Sequence, residues 1–488
     1  MKTLTSYFLS VLLLTGFICL LPVKSRGQGS DTAFRKEFDQ FYQQINQEFD
    51  AFRQHNDSVF LRFLKDSWKE FEGSPHPQPE TPKPSTQPVY KETNIVPDDL
   101  KKDEKPEGPD QEAVPGKEHS VPEKESLGSL PDAGYFSFFG TPIPLPVAKG
   151  RFPYLKSVSK QNISDYYALA SRSSELTGIY SSLKQESGLY RLNDWGLASM
   201  LFEASKAWYS NVNDQVLFTW AGLLKNGYNA KVGYSNDRVY LLLPADIMLY
   251  TVSYSVNNRD YYLVEPGVLV KVPDRLFIHE ADYPEGSTEF SFRLTEMPRL
   301  KYLGEKRALK GSRPLTISLN KNLLDFFSNY PPCDLQVYFT TPLSESTCRQ
   351  LDVYFDEMLK GRSDEQRLAF LLDYVQHAVP YLTDKEQFGR ERYLFPEETL
   401  YYAGADCEDR SALLAALIRR YTSLDFLVLG FPAHVTLAVN LNTCNGDDFL
   451  NYKSRRFYHA DPTYLGAECG MAMPEVKSKP AEIIYSNF

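Results

Sequence analysis

The chain contains no long basic run, no apolar stretch long enough to cross a membrane, no acidic cluster with the spacing of a calcium loop, and only six cysteines in 488 residues. Each shortage excludes something. A formal net charge of -10 without a basic run argues against a nucleic-acid footprint and against an anionic membrane surface as the main partner. The apolar run from Phe8 to Leu21 falls short of the ~20 residues that a spanning helix needs. Without a calcium-type loop no metal is implied, and no motif calls for a cofactor. Cys19 lies inside the apolar run and lacks the small residues before it that a lipid-attachment site wants.

What is there begins with an export signal. Lys2, the apolar run, Pro22 and the stretch SRGQ predict a signal over residues 1–28, cleaved near Gly27, and a periplasmic, cell-surface or secreted protein. Loss of Cys19 leaves Cys333, Cys348, Cys407, Cys444 and Cys469. In an oxidising compartment an odd number leaves at least one thiol unpaired. The spacings suggest Cys333 with Cys348 and Cys444 with Cys469, the alternative being that all five stay reduced.

The length suits two or three domains. Phe38, Phe49, Phe60 and Phe71 form one column of an 11-residue repeat, and Phe41, Phe52 and Phe63 form a second. That period, about 3.67 residues per turn, predicts one amphipathic helix over 31–72. Its stripe packs on the chain's own globular part, docks on a partner, or self-associates. Residues 73–133 are Pro, Glu, Lys, Gln and Ser with little to bury, and read as a disordered or extended linker.

From 134 to 340 the pattern is mixed α/β. Helices are expected at Ser164–Ser182 and Asp194–Ser210 and in NDQVLFTWAGLLKNGY. A hairpin follows in NAKVGYSNDRVYLLLPAD, with further strands in IMLYTVSYSV, RDYYLVEPGVLVKV, STEFSFRLTEM and PLTISL. Residues 334–345 look like one more strand, followed by helices near Glu345–Lys360 and Ser363–Val379 and a long polar, aromatic loop.

That loop delivers the chain to AGADCEDRSALLAALIRR, residues 403–420. The Ala and Leu of its second half are strong helix formers, Asp406 is a natural N-cap, and Asp409 makes a partial capping box. Cys407 therefore falls at a helix start, where free N–H groups and the helix dipole favour a thiolate. Strand signals LDFLVLGF, HVTLAVNL and RRFYHADPTY follow, with His434 opening the second and Asp461 ending the third. A thiolate, an imidazole and a carboxylate are the set that nucleophilic acyl transfer uses. Singly, each residue reads as a core thiol, a turn histidine or a turn aspartate; the ordered set favours function. His459 is the rival imidazole, but it points out beside Asp461 on one strand.

The blocks YLTDKEQFGRERYLFPEETLYYAGADCEDRSALLAAL, GFPAHVTLAV and YHADPTYLGAECGMAMPE resemble the three motif blocks of the transglutaminase-like superfamily. The resemblance implies an α+β protein whose residues 345–488 form a papain-like domain, a helix packed on an antiparallel sheet. It implies Cys407 as nucleophile, His434 as base and acid, and Asp461 as orienting carboxylate. It also implies an oxyanion donor beside the Cys407 N–H, for which Gln387 is the candidate and Tyr402 the rival. The expected activity is hydrolysis or transfer of amide or peptide bonds in a protein or peptide, cell-wall peptide included. A non-catalytic envelope scaffold that keeps the fold is the alternative.

The middle region carries a degenerate version of the same pattern. Aligning 223–226 with 417–420 sets Asn213 opposite Cys407 and Tyr240 opposite His434, and, after a slip of two, Glu265 opposite Asp461. Such a copy would bind or support rather than catalyse; a chance helix-and-hairpin register is the other reading.

Overall fold

Short runs rich in apolar residues lay down two large antiparallel sheets, each covered by helices, in an α+β architecture. The structure is a computed structural model that describes residues 30–80, 83–90, 134–146, 150, 152–267, 272–310 and 314–488. The expected export signal and residues 91–133 of the expected linker lie outside the described residues. The chain divides into two units, Met1–Ser58 and Val59–Phe488. Helix α1, Ser30–Asp66, fills the described part of the first, and its last turns belong to the second. No described helix is long and apolar enough to cross a membrane.

Within Val59–Phe488, strands β1 (Trp68–Glu72) and β2 (Ser74–Pro75) precede a short hairpin of β3 (Tyr135–Phe138) and β4 (Thr141–Pro144). Helices α2 (Lys160–Arg172), α3 (Ser174–Leu189), α4 (Asp194–Ser205) and α5 (Val212–Lys225) follow. Then come β5 (Lys231–Ser235), β6 (Arg238–Pro244), β7 (Val252–Val256), β8 (Arg259–Leu263) and β9 (Arg275–His279), and the pair β10 (Gly304–Leu309) and β11 (Leu315–Asn320). Helices α6 (Lys321–Ser328), α7 (Leu335–Thr340), α8 (Glu345–Leu359), α9 (Asp364–Ala378), α10 (Asp384–Phe388), α11 (Pro396–Tyr401) and α12 (Cys407–Tyr421) lead to the last strands. These are β12 (Phe426–Phe431), β13 (His434–Asn440), β14 (Phe449–Tyr452), β15 (Arg455–Ala460) and β16 (Glu482–Ser486).

The two sheets share one strand order over five strands. One runs β7-β8-β6-β5-β9 with β1 and β2 added at its edges, the other β14-β15-β13-β12-β16, and every pairing is antiparallel. Helix, hairpin, hairpin and returning edge strand follow in that order in both. The two-residue turns recur at a constant shift, since Ser235↔Arg238 matches Phe431↔His434 and Val256↔Arg259 matches Tyr452↔Arg455 (434 − 238 and 455 − 259, 196 residues in each case). Helix α5 lies on β6 as α12 lies on β13, and one apolar core runs through both halves.

Several expectations are corrected. The helix expected over 31–72 ends at Asp66, because Trp68 turns back to donate its indole N–H to the Leu64 carbonyl (2.6 Å) and residues 68–72 pair with β9 as an edge strand. Phe60 is buried against Tyr167, Trp220 and Tyr283, so the last turns of the stripe pack on the chain's own core. The start of the expected linker is built into the fold: β2 pairs with β7, and residues 83–90 lie against the C-terminal half. The strand expected at 334–345 is instead α7, capped by the Asp334 carboxylate on the Gln336 N–H (2.8 Å). STEFSFRLTEM joins no ladder beyond the Tyr228↔Thr288 bridge; its N–H groups go to Asp194 and Asp246 while Phe290, Phe292 and Leu294 enter the core. The helix expected at Ser164–Ser182 breaks at Ser173, which ends α2 and caps α3 through its hydroxyl.

Candidate active site

The loop before Cys407 is fixed by close backbone contact. Tyr381 bridges to Ala405 in parallel, and the Ala405 N–H bonds the Pro380 carbonyl (3.0 Å). Only glycine fits at 404, where a Cβ would stand 2.5 Å from the Leu382 Cβ. Cys407 is the first residue of α12, and Asp406 holds the N-cap position. Its carboxylate makes no cap hydrogen bond and instead pairs with Lys83 (2.6 Å). Asp409, expected in a capping box, accepts the Leu394 N–H (2.8 Å).

His434 opens β13, and Asp461 follows the last residue of β15. Because Leu437 lies opposite Ala460, the register carried one residue further sets Asp461 beside Thr436, a diagonal neighbour of His434 on the same face. His434 Nε2 lies 2.7 Å from Asp461 Oδ2, and Asp461 Oδ1 accepts the N–H groups of Thr463 (2.9 Å) and Tyr464 (3.2 Å). Nδ1 is buried and makes no hydrogen bond within the described residues, and Cys407, at the helix start, interacts electrostatically with the imidazole. Burial opposes charge on His434, but Asp461 and then Cys407 outweigh it and hold the imidazole well above its usual range. Burial likewise pushes Asp461 up, and His434 with the two N–H donors brings it below its usual value.

Two buried side chains organise this centre, and neither is marked by a motif. Arg410, one turn into α12, reaches the carbonyls of Val379, Ala405 (3.2 Å) and Pro462 (3.2 Å), tying together the segments that carry Tyr381, Cys407 and Asp461. Burial lowers its pKa to about 10. The only hint in the sequence is a cation within an Ala- and Leu-rich helix. Gln376 on α9 donates to the carbonyls of Asp461 (3.0 Å) and Ala467 (3.0 Å) and accepts from Gly466 (3.0 Å).

Gln387, expected to help hold an oxyanion, has both ends of its amide on Gly404, donating to its carbonyl (3.1 Å) and accepting its N–H (3.0 Å). It fixes the loop before Cys407, and both ends of its amide face the Gly404 backbone. Tyr402, the rival, stacks edge-on to Phe388 and lies under Arg392. Tyr381 is the phenol beside Cys407; burial, then Cys407 and Asp406, raise its pKa and keep the hydroxyl protonated. His459 stacks on Phe431, its pKa lowered by burial, and is a neighbour of the pair rather than a member.

The electrostatic surroundings were not legible in any one stretch. Asp384, Asp406 and Asp409 bring carboxylate oxygens within 4.8 Å of one another, as do Asp384, Glu391 and Glu408. Lys83 stands among them, 2.6 Å from Asp406, 2.9 Å from Glu391, 3.8 Å from Asp384, and in contact with Glu408. Burial raises Asp384 to about 7 and Asp406 and Asp409 well above the usual carboxylate range. Burial opposes charge on Lys83, and Glu408 with Asp406 reverses this and raises it.

A cavity of about 720 Å³ is lined by Tyr250, Phe327, Arg392 and Tyr393 among others, and by none of Cys407, His434 and Asp461. All five described cysteines are free; the Cys444 thiol donates to the Cys469 carbonyl (3.0 Å), and the two thiols interact.

Comparison of the chain with family models, with curated proteins and with solved structures returns no match.

Proposed function

We propose that the chain is an exported, transglutaminase-like cysteine enzyme that cleaves or transfers amide or peptide bonds through an acyl-thioester on Cys407. The single observation that carries this reading is the placement of His434, with Nε2 on a buried carboxylate and the imidazole within electrostatic reach of a thiol at a helix start.

The chemistry follows from that placement. Proton transfer from Cys407 to His434 gives a thiolate and an imidazolium, which Asp461 stabilises and orients. The sulfur adds to the substrate carbonyl, and the negative oxygen is held by the Cys407 N–H at the first turn and by the Tyr381 hydroxyl once it is released from the Pro84 carbonyl. As the C–N bond breaks, the imidazolium gives its proton to the leaving amine. Water or a second amine then adds to the thioester, losing its proton to His434, and Cys407 leaves as the thiol.

Mass spectrometry of amide- and peptide-bearing envelope substrates incubated with the protein tests the reading. A product, and a trapped acyl adduct on Cys407, are expected, both absent from Cys407→Ala. Product formation that survives in Cys407→Ala would sink it. The full burial of Cys407 favours the second reading, a non-catalytic envelope scaffold, for which no substrate would form an adduct.

A further inference from the structure

We propose that residues 83–90 occupy the groove in which the peptide substrate lies, with Lys83 filling a carboxylate pocket beside Cys407 that recognises a basic side chain of that peptide. The inference deepens the acyl-transfer reading and rests on it for the word substrate.

The segment Lys83–Tyr90, KPSTQPVY, touches neighbours of Cys407 and of Asp461. Lys83 pairs with Asp406 and Glu408, the residues on either side of Cys407. The Pro84 carbonyl accepts the hydroxyl of Tyr381 (2.8 Å), the phenol that interacts with Cys407. Gln87 donates to the Gln376 carbonyl (3.4 Å), and Gln376 in turn holds the Asp461 carbonyl. At the far end the Pro88 carbonyl accepts the Leu465 N–H (2.8 Å) and the Tyr90 N–H donates to the Leu465 carbonyl (2.8 Å). Val89 thereby forms a parallel bridge to Leu465, and the Tyr90 ring packs edge-on to Tyr464. Main-chain bridging at one end and a side-chain pocket at the other are how an extended peptide is held by a groove.

The pocket is larger than Lys83 needs. One ammonium faces four buried or nearly buried carboxylates, and Asp406 Oδ1 and Asp409 Oδ2 are buried without a hydrogen-bond partner. A lysine that served only to join segments would need one carboxylate, and each further buried charge costs stability. Such a cluster selects strongly for a cation and has acceptors to spare for a broader one. Cys407 is 0% exposed and His434 2%, and on this proposal a peptide reaches them once residues 83–90 have left. Residues 83–90 therefore act as an intramolecular competitor, and the preferred substrate is an extended peptide that puts Lys or Arg where Lys83 sits.

The test measures alkylation of Cys407 by iodoacetamide at pH 7 in the full chain, resolved from the other cysteines by peptide mapping. This readout needs an accessible thiol and no turnover, so it stands apart from the acyl-transfer reading. Lys83→Met, and separately a chain with Gly-Ser-Gly-Ser in place of 87–90, are each expected to alkylate at Cys407 about tenfold faster or more, with melting midpoints showing that the fold is kept. Added peptide KPSTQPVY is expected to restore protection in Lys83→Met, and the same peptide with norleucine for lysine is not. Should Lys83→Met unfold, the second variant alone decides. Unchanged alkylation in the folded variants, or equal protection by both peptides, overturns the proposal. Faster alkylation without any product from any substrate keeps the groove occupant and removes the acyl-transfer reading instead.

Discussion

Arg238 pairs with Glu265 at the two places in the first sheet that His434 and Asp461 hold in the second. The shift of 196 residues that superposes the hairpins carries His434 to Arg238 and Asp461 to Glu265 (461 − 265 is the same shift). It carries Cys407 to Asn211, whose side chain caps α5 on the Asn213 N–H (2.8 Å). Tyr240 and Asn213, expected at these places, stand two residues further on; Asn213 braces β6 by accepting the Val239 N–H (2.9 Å). The first sheet has a charge pair between two strands where the second has His434 and Asp461, and a helix cap where the second has its thiol.

That pair is structural, so Arg238→Met should lower stability by about 2–4 kcal/mol by stranding a buried carboxylate. Burial raises the Glu265 pKa and Arg238 opposes it, so removing Arg238 raises it further. The loss should shrink in acid, where Glu265 is protonated. Urea unfolding at two pH values checks both the size and the trend.

The pair His434 and Asp461 has a definite pH window. His434 is raised, so its contribution is complete below its ordinary value of 6.5 and is lost as pH climbs through the higher folded value. Asp461 is lowered, so its contribution is present above its ordinary value of 3.8 and is lost as pH falls through the lower folded value. Asp461→Asn should therefore cost most stability between 3.8 and 6.5, about 3–5 kcal/mol for a broken buried pair. NMR titration should find His434 lower in pKa in this variant, and lower to a smaller degree in Cys407→Ala.

Tyr381 and Gln387 should separate by the kind of damage their loss does. Tyr381→Phe is expected to reduce kcat by about 10²-fold with little change in melting temperature, since it removes an oxyanion donor. Gln387→Ala frees the Gly404 backbone and should lower the melting temperature, with Gln387→Glu restoring only half of the two-way bond. An unchanged kcat for Tyr381→Phe would return the oxyanion role to another donor.

Cys444 should react with thiol reagents before Cys407 does. The hydrogen bond from Cys469 lowers its pKa to about 6 against the opposing effect of burial, and it is partly exposed, whereas Cys407 is buried. Peptide mapping after brief alkylation at pH 7 should find Cys444 modified first. Mild oxidation should join Cys444 to Cys469, and a Cys444→Ser chain should lose both signals.

The sequence alone determined what depends on near neighbours. The Ala- and Leu-rich run after Cys407 specifies a helix, short runs of apolar and aromatic residues specify β12, β13 and β15, and two-residue turns such as Asn257–Asn258, both with positive φ, fix hairpin register. Thiol, imidazole and carboxylate could be ordered from these because each sits at an element's end. Tertiary structure decided what depends on residues far apart. Lys83 meets carboxylates more than 300 positions away, Gln387 turns to Gly404 rather than to the thiol, and Arg410 draws three segments together. Periodicity reports which face of an element is apolar, but not which distant charge fills a pocket or which carbonyl a buried donor finds. Those choices are made only when the segments pack and each buried polar group must find a partner.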